Sequence, residues 1–274
     1  MNHLILGSSG QIGRNLTHYL RVIKQEKVLE FDILNEPYQD LRFHRNSLLE
    51  HYMEKCDIVH FLAYDVGGAK YLENNQDKFK FINNNMLIMS NVFNLIKKNK
   101  KPVIFASSQM SELTHSSYGM LKALGEKMAK DLGGINVRFW NVFGSEDKGE
   151  KAHVITDFIR MAKEDGVIKM RTDGTESRQF LYADDCSEAI WTLSRSYNQL
   201  WNDTPYCITS HKWSTIMEVA KIIQKLSKCD IIPGVAKDNT QRNAMNEPNL
   251  KINQWWQPKY SLEEGITKLY KKQI

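Results

Sequence analysis

The stretch from Asn2 to Gly13 restricts the possible folds of this chain more than any other, because an apolar run breaks there into a glycine-rich turn. The run ends at Leu6, and glycines follow at every third position, at Gly7, Gly10 and Gly13. Beyond the turn, apolar residues recur at helical spacing. The order of strand, glycine turn and helix predicts the first unit of a sheet in which strands and helices alternate.

Each glycine of the turn has a physical role in binding a dinucleotide. Gly7 lets the strand turn sharply, Gly10 lets phosphates approach the backbone, and Gly13 lets the helix pack closely on the strand. A pyrophosphate there would meet the free N–H groups of a helix N-terminus. An ordinary turn can carry the same glycines, but the position of the motif in the first strand favours the dinucleotide interpretation.

The second predicted strand, residues 28–32, ends in an acidic residue about 20 residues beyond the glycine turn. A carboxylate at this place accepts hydrogen bonds from ribose hydroxyls and repels a 2′-phosphate. Asp32 therefore favours NAD over NADP as the cofactor, although a surface aspartate in a turn is the alternative.

Strands and helices continue to alternate along the chain. Residues 57–63 and 103–106 are apolar on both faces, which is typical of buried parallel strands. Residues 47–55 and 84–98 have helical periodicity. The pattern predicts an α/β fold with a Rossmann-like doubly wound parallel sheet.

A second group of polar residues follows the strand at 103–106. Ser107 and Ser108 stand at its end, and Tyr118 and Lys122 are spaced i and i+4, so that they share one helix face. A nearby ammonium lowers the pKa of a phenol, and such a tyrosine can take a proton from a sugar hydroxyl. We therefore predict Tyr118, Lys122 and Ser108 as catalytic residues; the alternative is a tyrosine and a lysine on a helix surface.

Composition limits the remaining classes of function. The net charge of +5 comes without a long basic tract, which argues against a nucleic-acid partner. No apolar run approaches the ~18 residues of a membrane span, and no signal peptide precedes the first strand, so we expect a soluble cytoplasmic protein. The cysteines lack metal-site spacing, and we predict free thiols and no metal site: Cys56, Cys186, Cys207 and Cys229.

Further segments complete a resemblance that covers nearly the whole chain. They are Asp40-Leu41, His60-Phe61-Leu62-Ala63, Asn85, the segment Arg138–Gly144, Arg178 and the segment Tyr260–Gly265. With the glycine turn and the Tyr118–Lys122 pair, they resemble the extended short-chain dehydrogenase/reductases, in particular the NAD-dependent sugar-nucleotide epimerase/dehydratase family.

This resemblance implies roles for individual residues. The expected NAD-binding residues are Gly7, Gly10, Gln11, Ile12, Gly13, Asp32, Asp40, Leu41, Leu62, Ala63, Asn85, Ser107, Tyr118 and Lys122. Ser108, Asn141 and Arg178 are expected to contact a nucleoside-diphosphate sugar. A homodimer formed through the helices at 84–98 and 118–132 is implied as well.

The resemblance also implies a division of the chain. Residues 1–144 would form the NAD-binding domain, to which residues 178–194 return. Residues 145–177 and 195–274 would form the smaller sugar-nucleotide lobe.

The sequence that follows Ser108 disfavours two of the reactions known in this family. The family's 4,6-dehydratases carry Asp-Glu there and its 3,5-epimerising reductases carry Cys, whereas this chain has Gln109. We therefore expect hydride transfer at sugar C4, by a 4-epimerase or a 4-dehydrogenase. The segment 65–69 and the short loop between Ser108 and Tyr118 resemble enzymes of GDP-linked sugars, which implies a role in surface polysaccharide biosynthesis. A non-catalytic NAD-binding regulator on the same fold is the alternative.

Overall fold

The structure is a computed structural model, and it describes residues 1–146, 149, 151–238 and 246–272. Parts of both segments predicted for the lobe therefore fall outside the described residues. The strands are β1 (Asn2–Leu6), β2 (Lys27–Phe31), β3 (Ile58–Phe61), β4 (Val103–Ser108), β5 (Ile135–Phe139), β6 (Asn141–Phe143), β7 (Val167–Lys169), β8 (Ser177–Tyr182), β9 (Tyr206–Ile208), β10 (Trp213–Thr215) and β11 (Asp230–Ile232). The α-helices are α1 (Gln11–His18), α2 (Ser47–Lys55), α3 (Ala69–Asn75), α4 (Phe79–Asn99), α5 (Ser117–Asp131), α6 (Val154–Glu164), α7 (Ala183–Arg195), α8 (Ile216–Ser227) and α9 (Leu262–Lys272).

Six of the described strands form one parallel sheet in the order β2-β1-β3-β4-β5-β9. The chain moves outward from β1 to β2 and then crosses back to β3 on the other side of β1. This reversal leaves a crevice at the carboxyl ends of β1 and β3, where open α/β sheets bind their ligands. The glycine turn begins at this crevice, directly after β1.

The two faces of the large sheet are buried in separate cores. Leu4 and Leu6 of β1 pack on one face with apolar side chains of α2, α4 and α5. Ile5, which lies between them in sequence, packs on the other face with side chains of α1 and α7. Because successive strand residues point to opposite faces, a continuous apolar run such as 4–6 is required when helices cover both sides.

Two smaller sheets belong to a separate apolar cluster. β8 pairs with β10 in antiparallel and with β6 in parallel orientation, and β7 pairs with β11. Helices α6, α8 and α9 contribute the buried side chains that cover them, including Phe158, Val219 and Ile266. These side chains form a third apolar cluster beside the two that cover the large sheet.

Strand β9 lies elsewhere than predicted. The sequence assigned residues 195–274 to the lobe, but residues 206–208 pair with β5 and extend the large sheet. Tyr206 and Ile208 are buried in the second core with side chains of α7. A segment of three residues is too short for its apolar pattern to show which sheet it joins. Only the pairing with β5 assigns β9 to the large sheet.

The described residues also bear on the expectations from composition. All four cysteines are buried free thiols. In this part of the chain, none of the helices combines the length and the apolar character that crossing a membrane requires. Nor do the described His, Cys, Asp and Glu side chains form a group of three or more that could hold a metal ion.

Candidate active site and dinucleotide site

The three glycines of the turn are held by different constraints. Gly7 has a φ of +89°, and a Cβ there would lie 2.6 Å from the backbone nitrogen of Ala63 at the end of β3. A Cβ on Gly13 would lie 2.0 Å from the carbonyl oxygen of Gly7. A Cβ on Gly10 has its nearest neighbour at 3.4 Å, an ordinary contact. Gly7 and Gly13 are thus required by the fold, whereas Gly10 keeps one face of the backbone open.

The open face of the turn fits a pyrophosphate. Helix α1 begins at Gln11, and its N-cap residue, Gly10, has no side chain that could cover the first N–H groups. The Nε2 atom of Gln11 is buried without a hydrogen-bond partner. Donors without partners at a helix N-terminus form an anion site.

Asp32 lies beside this turn and fits the ribose of the same ligand. Its carboxylate accepts hydrogen bonds from the backbone N–H groups of Ser9, at 3.0 Å, and Leu34, at 2.9 Å. These two bonds orient the carboxylate and leave further lone pairs for hydroxyl donors. The negative charge disfavours a 2′-phosphate, so the residues present fit NAD.

Asp40 and Leu41, the predicted adenine contacts, are largely buried. The Arg42 guanidinium donates to both carboxylate oxygens of Asp40, from Nη2 at 2.6 Å and from Nε at 2.9 Å. Burial opposes ionisation, but the hydrogen bonds and the charge of Arg42 hold the pKa of Asp40 below its usual range. The carboxylate is therefore engaged by protein, and its contact with adenine stays a prediction.

Two residues expected to line the nicotinamide site, Asn85 and Ser107, form hydrogen bonds to other parts of the protein. Asn85 is fully buried in α4, where its Oδ1 accepts from the backbone N–H of Asp65 at 2.7 Å and its Nδ2 donates to the carbonyl of Phe81 at 3.0 Å. It thereby fixes the loop that follows β3, next to Leu62 and Ala63. The Ser107 hydroxyl donates to Glu126 in α5 at 2.6 Å. Asn85 and Ser107 thus support the expected nicotinamide site through their side chains.

Helix α5 brings the predicted catalytic residues to the end of β4. The helix starts here because the Ser116 hydroxyl caps it, accepting from the backbone N–H of Gly119 at 3.1 Å. One turn apart on the buried face, Tyr118 interacts with the Ser108 hydroxyl, and Lys122 donates from Nζ to the carbonyl of Ala106 at 2.6 Å. Ser108, Tyr118 and Lys122 therefore meet at the carboxyl end of the sheet.

The ionisation of this pair differs from the expectation based on spacing. Burial raises the pKa of Tyr118 to about 12, which the Ser108 hydrogen bond partly opposes. Burial lowers the pKa of Lys122 to about 7, which the Glu126 carboxylate opposes. Desolvation is the largest cause of both shifts, so the Tyr118 phenol is protonated at neutral pH.

Tyr64 is a neighbour of this pair that the sequence reasoning missed. The Lys122 ammonium lies 3.7 Å from the centroid of the Tyr64 ring and 5.8 Å from that of Tyr118. The two tyrosine rings meet edge to face, with centroids 5.9 Å apart. An aromatic residue directly after a buried strand, at a sheet edge expected to bind a ligand, is the signal that could have found it.

Asn141 and Arg178 lie on the paired strands β6 and β8. The Oδ1 atom of Asn141 is buried without a hydrogen-bond partner, and so is the Nε1 atom of Trp140 beside it. Arg178 is 7% exposed, forms an ion pair with Asp238 and donates to the carbonyl of Ser177 at 2.6 Å. A buried guanidinium and an amide without a full set of partners can bind an anionic, oxygen-rich ligand.

Comparisons with known proteins show similarity over most of the chain. The model of the NAD dependent epimerase/dehydratase family matches residues 3–208. A GDP-L-fucose synthase of Sinorhizobium fredii is 26% identical, with 97% of this chain and 93% of the relative covered. UDP-glucuronic acid decarboxylase 1 of Danio rerio is 23% identical, with 97% and 71% covered. The structure of a Thermus thermophilus UDP-glucose 4-epimerase in complex with NAD superposes with a TM-score of 0.81 at 18% identity, covering 99% of this chain and 98% of that one.

Proposed function

Because this chain belongs to the NAD dependent epimerase/dehydratase family, we propose that it transfers a hydride at C4 of a nucleoside-diphosphate sugar. It acts as a 4-epimerase or a 4-dehydrogenase, and it serves surface polysaccharide biosynthesis. One observation carries the proposal: Ser108, Tyr118 and Lys122 meet at the carboxyl end of β4. This is the edge of the sheet at which the glycine turn opens after β1.

The side chains of this site move the proton of the reaction. Bound NAD supplies the acceptor and donor of the hydride. The phenolate of Tyr118, a minor form at neutral pH, takes the proton of the C4 hydroxyl while the C4 hydrogen leaves, and Ser108 hydrogen-bonds the same oxygen as it becomes a ketone. Tyr118, as phenol, returns the proton when the ketone is reduced, and its pKa of about 12 keeps that proton available.

Lys122 and burial set the conditions for this proton transfer. Tyr118 is 8% exposed, so its hydroxyl is shielded from bulk water, which would otherwise compete for the proton. The phenolate needs a nearby cation, and the Lys122 ammonium is one helical turn away. Since burial lowers the pKa of Lys122 to about 7, its charge is lost as the pH rises through neutrality.

The substrate class rests on Arg178 and on the relatives. A diphosphate suits the planar fork of a buried guanidinium, and it would displace the carboxylate of Asp238 from Arg178. On the adjacent strand, the unpartnered amide oxygen of Asn141 can accept a hydrogen bond from a sugar or ribose hydroxyl. The names of both relatives, the GDP-L-fucose synthase and the UDP-glucuronic acid decarboxylase, denote enzymes of nucleotide-linked sugars.

Gln109 supports a reaction confined to C4. The residue directly follows Ser108 and is 3% exposed, and its amide can serve neither as general acid nor as general base. Removing water or epimerising a further carbon needs an additional ionisable group. The intact set of Tyr118, Lys122 and Ser108 argues against the alternative, a non-catalytic NAD-binding regulator.

A homodimer is part of the proposal. Large apolar side chains are exposed on the outer faces of α4, at Met86 and Leu87, and of α5, at Met120 and Leu124. Exposed apolar side chains that share one surface are typical of association sites. A second copy that presents the same two helices would cover them in a symmetric interface.

The test is a panel of UDP-, GDP-, CDP- and dTDP-sugars incubated with the purified protein and NAD. NADH absorbance and the stereochemistry at C4 are followed for each substrate. Inversion at C4 without net NADH identifies a 4-epimerase, and net NADH with a released ketone identifies a 4-dehydrogenase. NAD binding without turnover of any panel member would favour the regulatory alternative.

A further inference from the structure

Helix α5 presents three polar residues, not two, to the end of β4. Tyr118, Lys122 and Glu126 are spaced four residues apart and share one side of the helix. Tyr118 interacts with Ser108, Lys122 donates to the carbonyl of Ala106, and Glu126 accepts from the hydroxyl of Ser107. Three consecutive residues of β4 are thus each bound by one member of this row.

Glu126 is held more firmly than either of its neighbours in the row. Its Oε1 accepts from Ser107 at 2.6 Å, from Ser111 at 2.9 Å and from Nε of Arg138 at 2.7 Å. Its Oε2 accepts from Nη2 of Arg138 at 2.8 Å. The side chain is 12% exposed. A carboxylate that accepts four hydrogen bonds, two of them from one guanidinium, is held in a fixed position.

We infer that Glu126 is a positioning residue of the active site, which fixes the end of β4 and supplies the negative charge that faces Lys122. It acts through Ser107 and Lys122 and does not itself touch the reacting atoms. The inference rests on the proposed function, in which Lys122 must carry a charge beside Tyr118.

The electrostatics of the cluster agree with this role. Burial lowers the pKa of Lys122 to about 7, and the charge of Glu126 acts in the opposite direction. Two further charged groups belong to this cluster: Arg138 on β5, which pairs with Glu126, and Glu112, which pairs with the same guanidinium. A nearby opposite charge raises the pKa of an ammonium group. Loss of the Glu126 charge therefore lowers the pH at which Lys122 becomes neutral.

The test compares Glu126→Gln with Glu112→Gln, since both remove one carboxylate from Arg138 but only Glu126 binds Ser107 and faces Lys122. The titration midpoint of Lys122 is measured as the pH dependence of its reductive methylation, quantified by mass spectrometry of the peptide. We expect the midpoint to fall by about one pH unit in Glu126→Gln and to stay near the wild-type value in Glu112→Gln. At pH 7, kcat falls about fivefold in Glu126→Gln, because the charged fraction of Lys122 falls from about one half to about one tenth, and KM is little changed.

If Glu126→Gln and Glu112→Gln both fold and have the same Lys122 titration midpoint, the inference is wrong. If Glu126→Gln does not fold, Arg138→Gln provides a test of opposite sign. This variant leaves the Glu126 charge without its cation, so the Lys122 midpoint should rise by a similar amount, and an unchanged or lower midpoint would contradict the inference. The titration needs no substrate, so inactivity on every sugar nucleotide would defeat the proposed function without deciding the role of Glu126.

Discussion

The glycine turn and the substrate side of the cleft are built in opposite ways. The turn is a contiguous segment whose shape is set by its own backbone: a Cβ on Gly13 would meet the carbonyl oxygen of Gly7 at 2.0 Å. The substrate side is assembled from distant segments. Asn141 stands on β6, Arg178 on β8, and Asp238, which pairs with Arg178, lies 60 residues further along.

The two regions also differ in how their charged groups are partnered. Around the turn, Asp32 has two backbone donors in place, and the Nε2 atom of Gln11 is buried without a hydrogen-bond partner. On the proposed substrate side, buried atoms of Trp140 and Asn141 lack partners, and Arg178 pairs with the carboxylate of Asp238. We therefore expect that the cofactor binds groups already open to it, whereas an anionic substrate must displace Asp238 from Arg178. The following predictions test it.

The largest effect is expected at Tyr118, between the two regions. Tyr118→Phe should lower turnover about 10³-fold, because it removes the group that exchanges the proton, while NAD binding is retained. Tyr197→Phe is the matched control, since its hydroxyl contacts Val103 at the opposite end of β4. Steady-state kinetics and NAD titration measure both. Undiminished turnover in Tyr118→Phe would exclude Tyr118 as the acid–base group.

On the cofactor side, Gly13→Ala should lower the stability of the protein, whereas Gly10→Ala should weaken the binding of NAD. The Cβ of Gly13→Ala overlaps Gly7, so the free energy of unfolding should fall by about 2–3 kcal/mol. Gly10 has a φ of −68°, which alanine adopts freely, so Gly10→Ala should fold normally and bind NAD more weakly. Denaturant unfolding and NAD titration distinguish the two. Equal stability losses would contradict the steric difference between the positions.

On the substrate side, Arg178→Ala should raise KM for the nucleotide sugar about 10- to 100-fold and leave NAD affinity unchanged, because a charged hydrogen bond to the diphosphate is lost. Arg171→Ala is the control. That arginine lies nearby in sequence, is 47% exposed and pairs with Glu73. If the two variants have the same KM, Arg178 has no role in substrate binding.

The smallest effect is expected on the oligomeric state, through the exposed face of α5 on the cofactor side. Met120→Glu adds a charge to the exposed apolar face of α5 and should shift a dimer toward monomer. Val235→Glu, at a fully exposed apolar residue away from α4 and α5, should leave the molar mass unchanged. Light scattering measures both masses. A wild-type protein that is monomeric at all concentrations would refute the homodimer.

Much of the fold was predictable because it follows from local periodicity. The apolar runs at 57–63 and 103–106 and the helical pattern at 47–55 coincide with β3, β4 and α2. The family resemblance and the NAD dependence predicted from the motifs are confirmed by the family model over residues 3–208. Strand β9 was not predictable in the same way, since its assignment depends on pairing with β5.

By itself, the sequence determined the features that depend on backbone geometry over a few residues. Glycines at intervals of three specify the turn after β1, and spacing by four places Tyr118 and Lys122 on one side of α5. Such relations are fixed by the strand and helix repeats, whatever surrounds them.

Tertiary structure alone decided the electrostatics and the partners of these residues. Burial raised the pKa of Tyr118 and lowered that of Lys122, the reverse of the effect expected from an ammonium beside a phenol in water. The Ser107 hydroxyl binds Glu126, and Arg178 binds Asp238. Desolvation and long-range ion pairs depend on what the rest of the chain packs around a group, and no local pattern of residues records that.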